Sequence, residues 1–134
     1  YHAAETTGFE ANSERSEGTY SKYASIDDKL DGLHYYMAYV KFGIGRCTSD
    51  AAHEVRDGEI TRDEALALVR RFDGEFPTRH LSECLDYLGM DRAYLADVIE
   101  RFRGPQVSPI VELEVMPEEA NHLQKHGLRM FDPA

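Results

Sequence analysis

The chain has 134 residues, which is enough for one domain with its own hydrophobic core. With 42% hydrophobic and 30% charged residues it has the composition of a globular protein, and a disordered chain is excluded. Its formal net charge of -10 disfavours nucleic acid as a partner, and the sequence has no run of 18 apolar residues that would span a membrane.

The two cysteines bear on the cellular compartment. Cys47 and Cys84 share no metal-type spacing, and they predict free thiols of a cytoplasmic protein. The sequence does not open on the charged and then apolar pattern of a secretory signal, and its first residue is Tyr1 rather than Met. We therefore expect a cytoplasmic chain that is a fragment of a longer one.

Residues 1–24 are rich in Gly, Ser, Thr and Glu and show no hydrophobic period. This composition predicts an extended, partly mobile lead-in. Tyr20 and Tyr23 form a short cluster that we expect to pack onto the residues that follow.

The first strong helical pattern begins at Ser25, which is a suitable N-cap, and ends at Gly43 and Gly45. Its apolar stripe consists of Ile26, Leu30, Leu33, Met37 and Val40, widened by Tyr35, Tyr36, Tyr39 and Phe42. Because the second half is apolar on most faces, we expect this helix to be central to the fold.

Four further segments each open on a capping residue and close on a glycine. Thr48 or Ser49 opens a short helix that runs to about Asp57, where Gly58 ends it. The other three are opened by Thr61 (in a capping box with Glu64), by Thr78 and by Asp91, and are closed near Gly74, Gly89 and Gly104. On the last helix the residues expected to face inward are Tyr94, Leu95, Val98, Ile99 and Phe102. The sequence thus predicts a mainly α fold, a bundle of about five short helices over residues 25–104.

Residues 105–134 form a tail in which Pro105 and Pro109 interrupt the helical pattern. An apolar run predicts a short strand there, and Pro117 is a suitable first residue for a small helix that ends near His126. His122 and His126 are four residues apart, with Glu118 one turn earlier, and would share one helix face. No third ligand is evident nearby, so we favour an exposed helix end over a zinc site.

The loop around Gly58 imitates a calcium-binding loop, with Glu64 at its twelfth position. Positions one and three would then be His53 and Val55, which lack the oxygen ligands that calcium needs. A glycine stop followed by a capped helix explains the same residues, so we assign no metal ligands.

The segment from Lys41 to Arg62 is the densest in groups that carry chemistry. A turn with two glycines leads into a helix start, whose free N–H groups are suited to an anion. Asp50 and Glu54 lie one turn apart, and so do Ser49 and His53. A salt-bridge network tying short helices together accounts for the same residues equally well, and spacing alone leaves both readings open.

Five runs of the sequence resemble the C-terminal region of bacterial N-acetyl sugar amidotransferases, lipopolysaccharide-biosynthesis enzymes of the ExsB-like PP-loop ATP pyrophosphatase class. The resemblance extends over about residues 8–103. The runs are EGTYSKYASIDDK (17–29), HYYM (34–37), KFGIGR (41–46), TSDAAHEVRDGEITR (48–62) and FDGEFP (72–77).

This resemblance implies an activity for the whole enzyme. An N-terminal PP-loop domain would bind ATP with Mg, and the acetamido oxygen of a nucleotide-linked sugar would be adenylated. Ammonia from a glutaminase and a cyclase-like partner would then displace AMP and leave an acetamidino group, for O-antigen or flagellin sugars. The chain lacks the SGGxDS-type loop and the cysteine pairs of that domain, so alone it is not expected to hydrolyse ATP. Its residues after Gly104 do not match the family pattern.

Within the resemblance we assign roles to seven residues of the Lys41–Arg62 segment. We expect Asp50 and His53 to act in catalysis by orienting the sugar or the incoming ammonia. The residues expected to bind substrate are Lys41, Arg46, Thr48, Ser49 and Arg56. Of these, Arg46 and Arg56 are expected to bind phosphates. Tyr35 and Tyr36 are suited to stacking on a base or sugar, although core packing is the better expectation for at least one of them.

A second reading is a non-catalytic helical module that docks a glutaminase subunit or pairs with its own copy as a homodimer. It is motivated by the missing PP-loop and by the aromatic helix over residues 26–42, which a separated domain would leave partly bare.

Overall fold

A computed structural model describes residues 2–107, and within that range helices are the regular elements. The helices are α1 (His2–Thr6), α2 (Asp31–Phe42), α3 (Arg46–Asp57), α4 (Arg62–Phe72), α5 (Leu81–Leu88) and α6 (Arg92–Phe102). The mainly α prediction is confirmed. The strand and helix predicted in the tail, together with His122 and His126, lie outside the described residues.

The core is built around α2, as predicted from its apolar pattern. α2 buries Leu33, Tyr36, Tyr39 and Val40. These residues pack in one cluster with Phe76, with Leu81, Cys84 and Leu85 of α5, with Leu95, Ala96 and Ile99 of α6, and with Val107. α3 and α4 pack against each other beside this cluster. The inward orientation predicted for Tyr94 and Phe102 is wrong, because the buried stripe of α6 is Leu95, Ala96 and Ile99 and leaves both rings half exposed.

The helix ends that depend on neighbouring residues in the sequence are found where they were predicted. Thr61 and Glu64 form the predicted capping box, and the Asp91 side chain accepts a hydrogen bond from the Tyr94 N–H. Gly58 and Gly89 end α3 and α5 in the left-handed conformation, with φ of 78° and 65°, which glycine adopts without strain.

Three predicted helix starts are wrong. α2 begins at Asp31 rather than at Ser25, since the Asp28 carboxylate accepts the Leu30 N–H at 2.8 Å and holds a turn before the helix. α3 begins at Arg46 with Gly45 as its N-cap, not at Thr48 or Ser49. α5 begins at Leu81 with His80 as its N-cap, and the Thr78 hydroxyl instead donates to the Glu17 carboxylate.

The predicted lead-in contains regular structure and folds back on itself. Its first residues form the short helix α1. Backbone hydrogen bonds then join Asn12 to Lys22 at 2.9 Å and Ser16 to Ser21 at 2.9 Å. The Ser16 hydroxyl and the Asn12 amide both donate to the Ala24 carbonyl at 3.2 Å. Residues 12–24 therefore make a folded loop, which lies against the starts of α3 and α5.

Candidate functional site

A polar cleft of about 380 Å³ opens between this folded loop, the start of α2 and the start of α5. The residues that line it include Asn12, Glu17, Ser25, Lys29, Arg46 and Arg79. Its walls thus come from segments far apart in the sequence, and the folded loop supplies one complete side.

A partly buried ion pair fixes the folded loop against the end of α4. The Arg15 guanidinium donates to both oxygens of Glu75 at 2.6 Å, and the same carboxylate accepts the Gly18 N–H at 2.7 Å. Burial acts to raise the pKa of Glu75, but the hydrogen bonds from Arg15 and Gly18 outweigh it and hold the pKa below its ordinary value. The Arg15 guanidinium also lies 4.8 Å from the centroid of the Phe72 ring.

Two further contacts tie the loop to the helices. Glu17 accepts the backbone N–H of Thr78 at 2.8 Å, the Thr78 hydroxyl at 2.9 Å and the Arg79 N–H at 3.1 Å. The Thr19 hydroxyl donates to Asp50 at 2.6 Å. These bonds use polar groups of the loop for its own attachment, so the loop is an integral wall of the cleft.

Arg46, the first residue of α3, is a buried cation on the cleft wall. Only 5% of its surface is exposed. Its Nη1 donates to the Ser25 hydroxyl at 2.6 Å, and its guanidinium carbon lies 4.6 Å from the centroid of the Tyr35 ring. Within residues 2–107 no carboxylate forms an ion pair with it. A buried charge is costly without a counter-charge, so this guanidinium is suited to an anionic ligand.

The N-terminus of α3 is occupied by the protein's own carboxylate. Asp73 accepts the Gly45 N–H and the Thr48 N–H, each at 3.2 Å, and also the Thr48 hydroxyl. Burial raises the pKa of Asp73 despite these bonds. A Cβ on Gly45 would lie 2.2 Å from the Asp73 Oδ1, so this approach requires glycine. The anion expected at the start of α3 is therefore the protein's own Asp73 carboxylate. This use of polar groups resembles the alternative in which they tie the short helices together.

The structure separates the seven predicted site residues. Arg46 lines the cleft, whereas Thr48 and Asp50 make the internal hydrogen bonds to Asp73 and Thr19. The residues exposed on the outer face of α3 are Ser49, His53 and Arg56, of which His53 and Arg56 contact each other. Lys41 lies at the end of α2, with Nζ 5.2 Å from the Phe42 ring centroid and 5.9 Å from that of Phe102.

The two candidate stacking tyrosines have different surroundings. Tyr36 is buried and packs edge-on against Phe76, with ring centroids 5.0 Å apart. Tyr35 is partly exposed and lies beneath Arg46. The expectation that at least one of them is a core residue is confirmed by Tyr36.

Sequence reasoning missed most of the cleft wall. Glu17, Ser25 and Lys29 were not among its candidates, nor was Arg79, although all four line the cleft. A signal was present for three of them, since they lie in the run 17–29 that carries the family resemblance. The part of this run up to Ala24 lacks a hydrophobic period and was therefore predicted as a lead-in, whereas Ser25 and Lys29 were predicted to lie at the start of a helix.

The two cysteines are free and buried. Burial is the main cause that raises the pKa of the Cys47 thiol to about 12. Within residues 2–107 no cluster of three or more His, Cys, Asp or Glu side chains is arranged to hold a metal ion. In that same range no helix combines the length and apolar character needed to cross a membrane.

Fold and site together define a small all-α domain in which a folded N-terminal loop closes a polar cleft around a buried arginine. A family model described as "LPS biosynthesis protein WbpG-like, C-terminal domain" matches residues 17–108. The match covers more than half of the chain, so the chain belongs to this family of lipopolysaccharide-biosynthesis domains. It begins at Glu17 and includes Ser25, Arg46 and Arg79 of the cleft wall. No curated protein matches the chain.

Proposed function

We propose that this chain is the substrate-side portion of an ATP-dependent N-acetyl sugar amidotransferase. The reaction replaces the acetamido C=O of a nucleotide-linked sugar by C=NH, with ammonia as the nitrogen source. Membership of a lipopolysaccharide-biosynthesis family supports a sugar precursor as the substrate. The resemblance of the runs within residues 17–77 supports the amidotransferase reaction.

The observation that carries the proposal is the buried guanidinium of Arg46, which lines the cleft without a carboxylate partner among the described residues. A nucleotide-linked sugar presents phosphate oxygens, which arginine binds through paired N–H groups. The rest of the lining is rich in hydroxyl, amide and carboxylate groups, which suit sugar hydroxyls. Arg46 thus binds the phosphates in this proposal, and the loop wall contacts the sugar.

The other predicted site residues have a different place in this proposal. In this proposal the exposed face of α3 with Ser49, His53 and Arg56 is the surface that contacts the ATP-binding part of the enzyme, and Lys41 adds a surface charge. ATP with Mg, which supplies the adenylyl group, is held outside this chain because the sequence has no PP-loop. Ammonia is delivered by glutaminase and cyclase-like partner subunits.

Arg46→Gln in the full-length enzyme tests the proposal. Acetamidino-sugar formation is followed by mass spectrometry over a range of sugar-nucleotide concentrations. We expect KM for the sugar nucleotide to rise by about tenfold or more, since one charge-assisted bidentate contact is lost. Arg70→Gln, an exposed arginine of α4, is the matched control and should leave KM unchanged. Normal KM and turnover in Arg46→Gln would refute a substrate role for the cleft.

A second candidate is the interaction module, and one observation favours it. Phe42, Ile44 and Phe102 are each at least half exposed, and Lys41 Nζ lies within 6 Å of both phenylalanine rings. An apolar group of this kind is typical of a contact surface for another protein. Sedimentation velocity over a range of chain concentrations separates the candidates. A dimer that Phe42→Ser dissociates supports the module, and a monomer at all concentrations removes self-association.

A further inference from the structure

We propose that Ser25 is the positioning residue that holds Arg46 for side-on, bidentate binding of a phosphate group in the cleft. This inference rests on the proposed function for the identity of the ligand. It adds to that function a mode of binding and a residue that the binding requires.

Ser25 connects Arg46 to a carboxylate without letting the two charges meet. Its hydroxyl donates to Asp31 Oδ2 at 2.6 Å and accepts from Arg46 Nη1 at 2.6 Å. The hydroxyl proton therefore belongs to the bond with Asp31, and the oxygen lone pair is free for the guanidinium. Arg46 is fixed by an acidic residue two hydrogen bonds away, and its charge is not cancelled by direct contact.

The same geometry leaves one edge of the guanidinium for a ligand. Nη1 is used by Ser25, and the Tyr35 ring lies against the group at 4.6 Å. Within residues 2–107 neither Nε nor Nη2 of Arg46 has a hydrogen-bond partner, and neither atom is fully enclosed by the protein. Nε and Nη2 form the side-on edge of arginine, which matches two oxygens of a phosphate.

The remaining basic groups of the cleft each contact a carboxylate. Within the described part of the chain, Lys29 and His80 both contact the Glu83 carboxylate, and Arg79 contacts Glu14. Among the described residues, Arg46 is thus the basic side chain of the wall that forms no ion pair, although Glu17 and Asp28 also line the cleft. The anionic part of a ligand is accordingly drawn to the Ser25 side of the cleft.

The backbone at Ser25 supports a requirement for its hydroxyl. Ser25 has φ of 57°, and in the part of the chain that the structure covers it is the one residue other than glycine with positive φ. Glycine adopts this conformation more easily than serine does. The chain therefore has a serine at a position where the backbone conformation favours glycine. The serine side chain forms hydrogen bonds with Arg46 and Asp31.

The experiment measures binding of inorganic pyrophosphate to the 134-residue chain by isothermal titration calorimetry. Arg46→Gln should weaken binding by at least about tenfold, and Arg46→Lys should also weaken it, because lysine keeps the charge but lacks the paired edge. Ser25→Gly should weaken binding by about tenfold while the thermal midpoint changes little, because the easier φ of glycine offsets the loss of the two hydroxyl hydrogen bonds. Ser25→Ala serves as a second variant without the hydroxyl, and Arg70→Gln should bind as the unaltered chain does.

Three results would overturn the inference: no heat of binding at millimolar pyrophosphate, unchanged affinity in Arg46→Gln, or unchanged affinity in both Ser25 variants. The full-length enzyme distinguishes this failure from failure of the proposed function. If turnover depends on Arg46 but Ser25→Gly has a normal KM, the positioning role fails and the function stands. If the chain binds pyrophosphate through Ser25 and Arg46 but the turnover of the full-length enzyme is unchanged in variants of both residues, the proposed function fails and the anion site stands.

Discussion

Replacement of Asp73 by alanine should destabilise the fold by about 3 kcal/mol. Asp73 accepts hydrogen bonds from the Gly45 N–H, the Thr48 N–H and the Thr48 hydroxyl, and it is itself buried. Loss of a helix cap costs about 1 kcal/mol, and each of the two N–H donors left without a partner, those of Gly45 and Thr48, costs roughly 1–3 kcal/mol. Water entering the vacated space relieves part of this cost, so the total stays near the lower sum.

Urea unfolding followed by circular dichroism at the helical band measures this change. Asp86→Ala is the matched control, because Asp86 is an exposed aspartate of α5, and it should change stability by less than about 0.5 kcal/mol. Asp73→Asn should fall between the two, since the amide keeps one acceptor oxygen and loses the charge. A loss below about 1 kcal/mol in Asp73→Ala would refute the role of Asp73 as the counter-charge of the α3 start.

Three further outcomes follow from the contacts around the cleft. Gly45→Ala should destabilise the fold by at least about 2 kcal/mol in the same urea assay, because its Cβ would lie 2.2 Å from Asp73 Oδ1; wild-type stability would contradict this packing. The pKa of Glu75 is lowered in the folded chain, so its contact with Arg15 contributes stability above the unfolded pKa of about 4.5 and loses it as pH falls through the folded value. The stability difference between the wild type and Glu75→Gln should therefore shrink between about pH 5 and pH 3, and a constant difference would count against the pair. Iodoacetamide at about pH 8 should label Cys47 only after unfolding, since burial raises its pKa to about 12; rapid labelling of the native chain would disprove its enclosure.

The helix ends that were predicted correctly are those decided by neighbours in the sequence. The Thr61–Glu64 capping box and the Asp91 cap each close within three residues, and Gly58 ends its helix through its own φ. Such features depend on nothing outside one helical turn. The pattern of apolar residues likewise specified the central helix, because burial of its stripe requires only that some partner be present.

The three wrong helix starts share one physical cause. Ser25, Thr48 and Thr78 have suitable capping hydroxyls, but each hydroxyl is bound to a residue that is remote in sequence. Thr48 binds a carboxylate 25 residues away, and Thr78 binds one 61 residues away. A sequence pattern reports that a hydroxyl is available, but it does not report the long-range partner that competes for it.

The site was predictable only in part for the same reason. Arg46 was identified because it lies in a segment dense in charged groups, and that density is visible in sequence. The walls around it are not visible, since the loop over residues 12–24 reaches the cleft through contacts such as Arg15 with Glu75, 60 residues apart. Asp50, a predicted catalytic residue, accepts a hydrogen bond from Thr19 of that loop. Which charges face the cleft and which hold the fold together is decided by these long-range pairs.

The three residues that were wrongly predicted as helix caps are therefore informative about the site. Where local preference and observed structure disagree, a side chain has been diverted to another use, and such conflicts are concentrated at functional or strained positions. Thr48 and Thr78 are diverted to carboxylates that hold α3 and the folded loop in place, so their use is architectural. Ser25 differs from both, because its partner is a buried cation on the cleft wall and its backbone has a positive φ. Of the three diverted hydroxyls, Ser25 is the one whose removal should affect ligand binding more than stability.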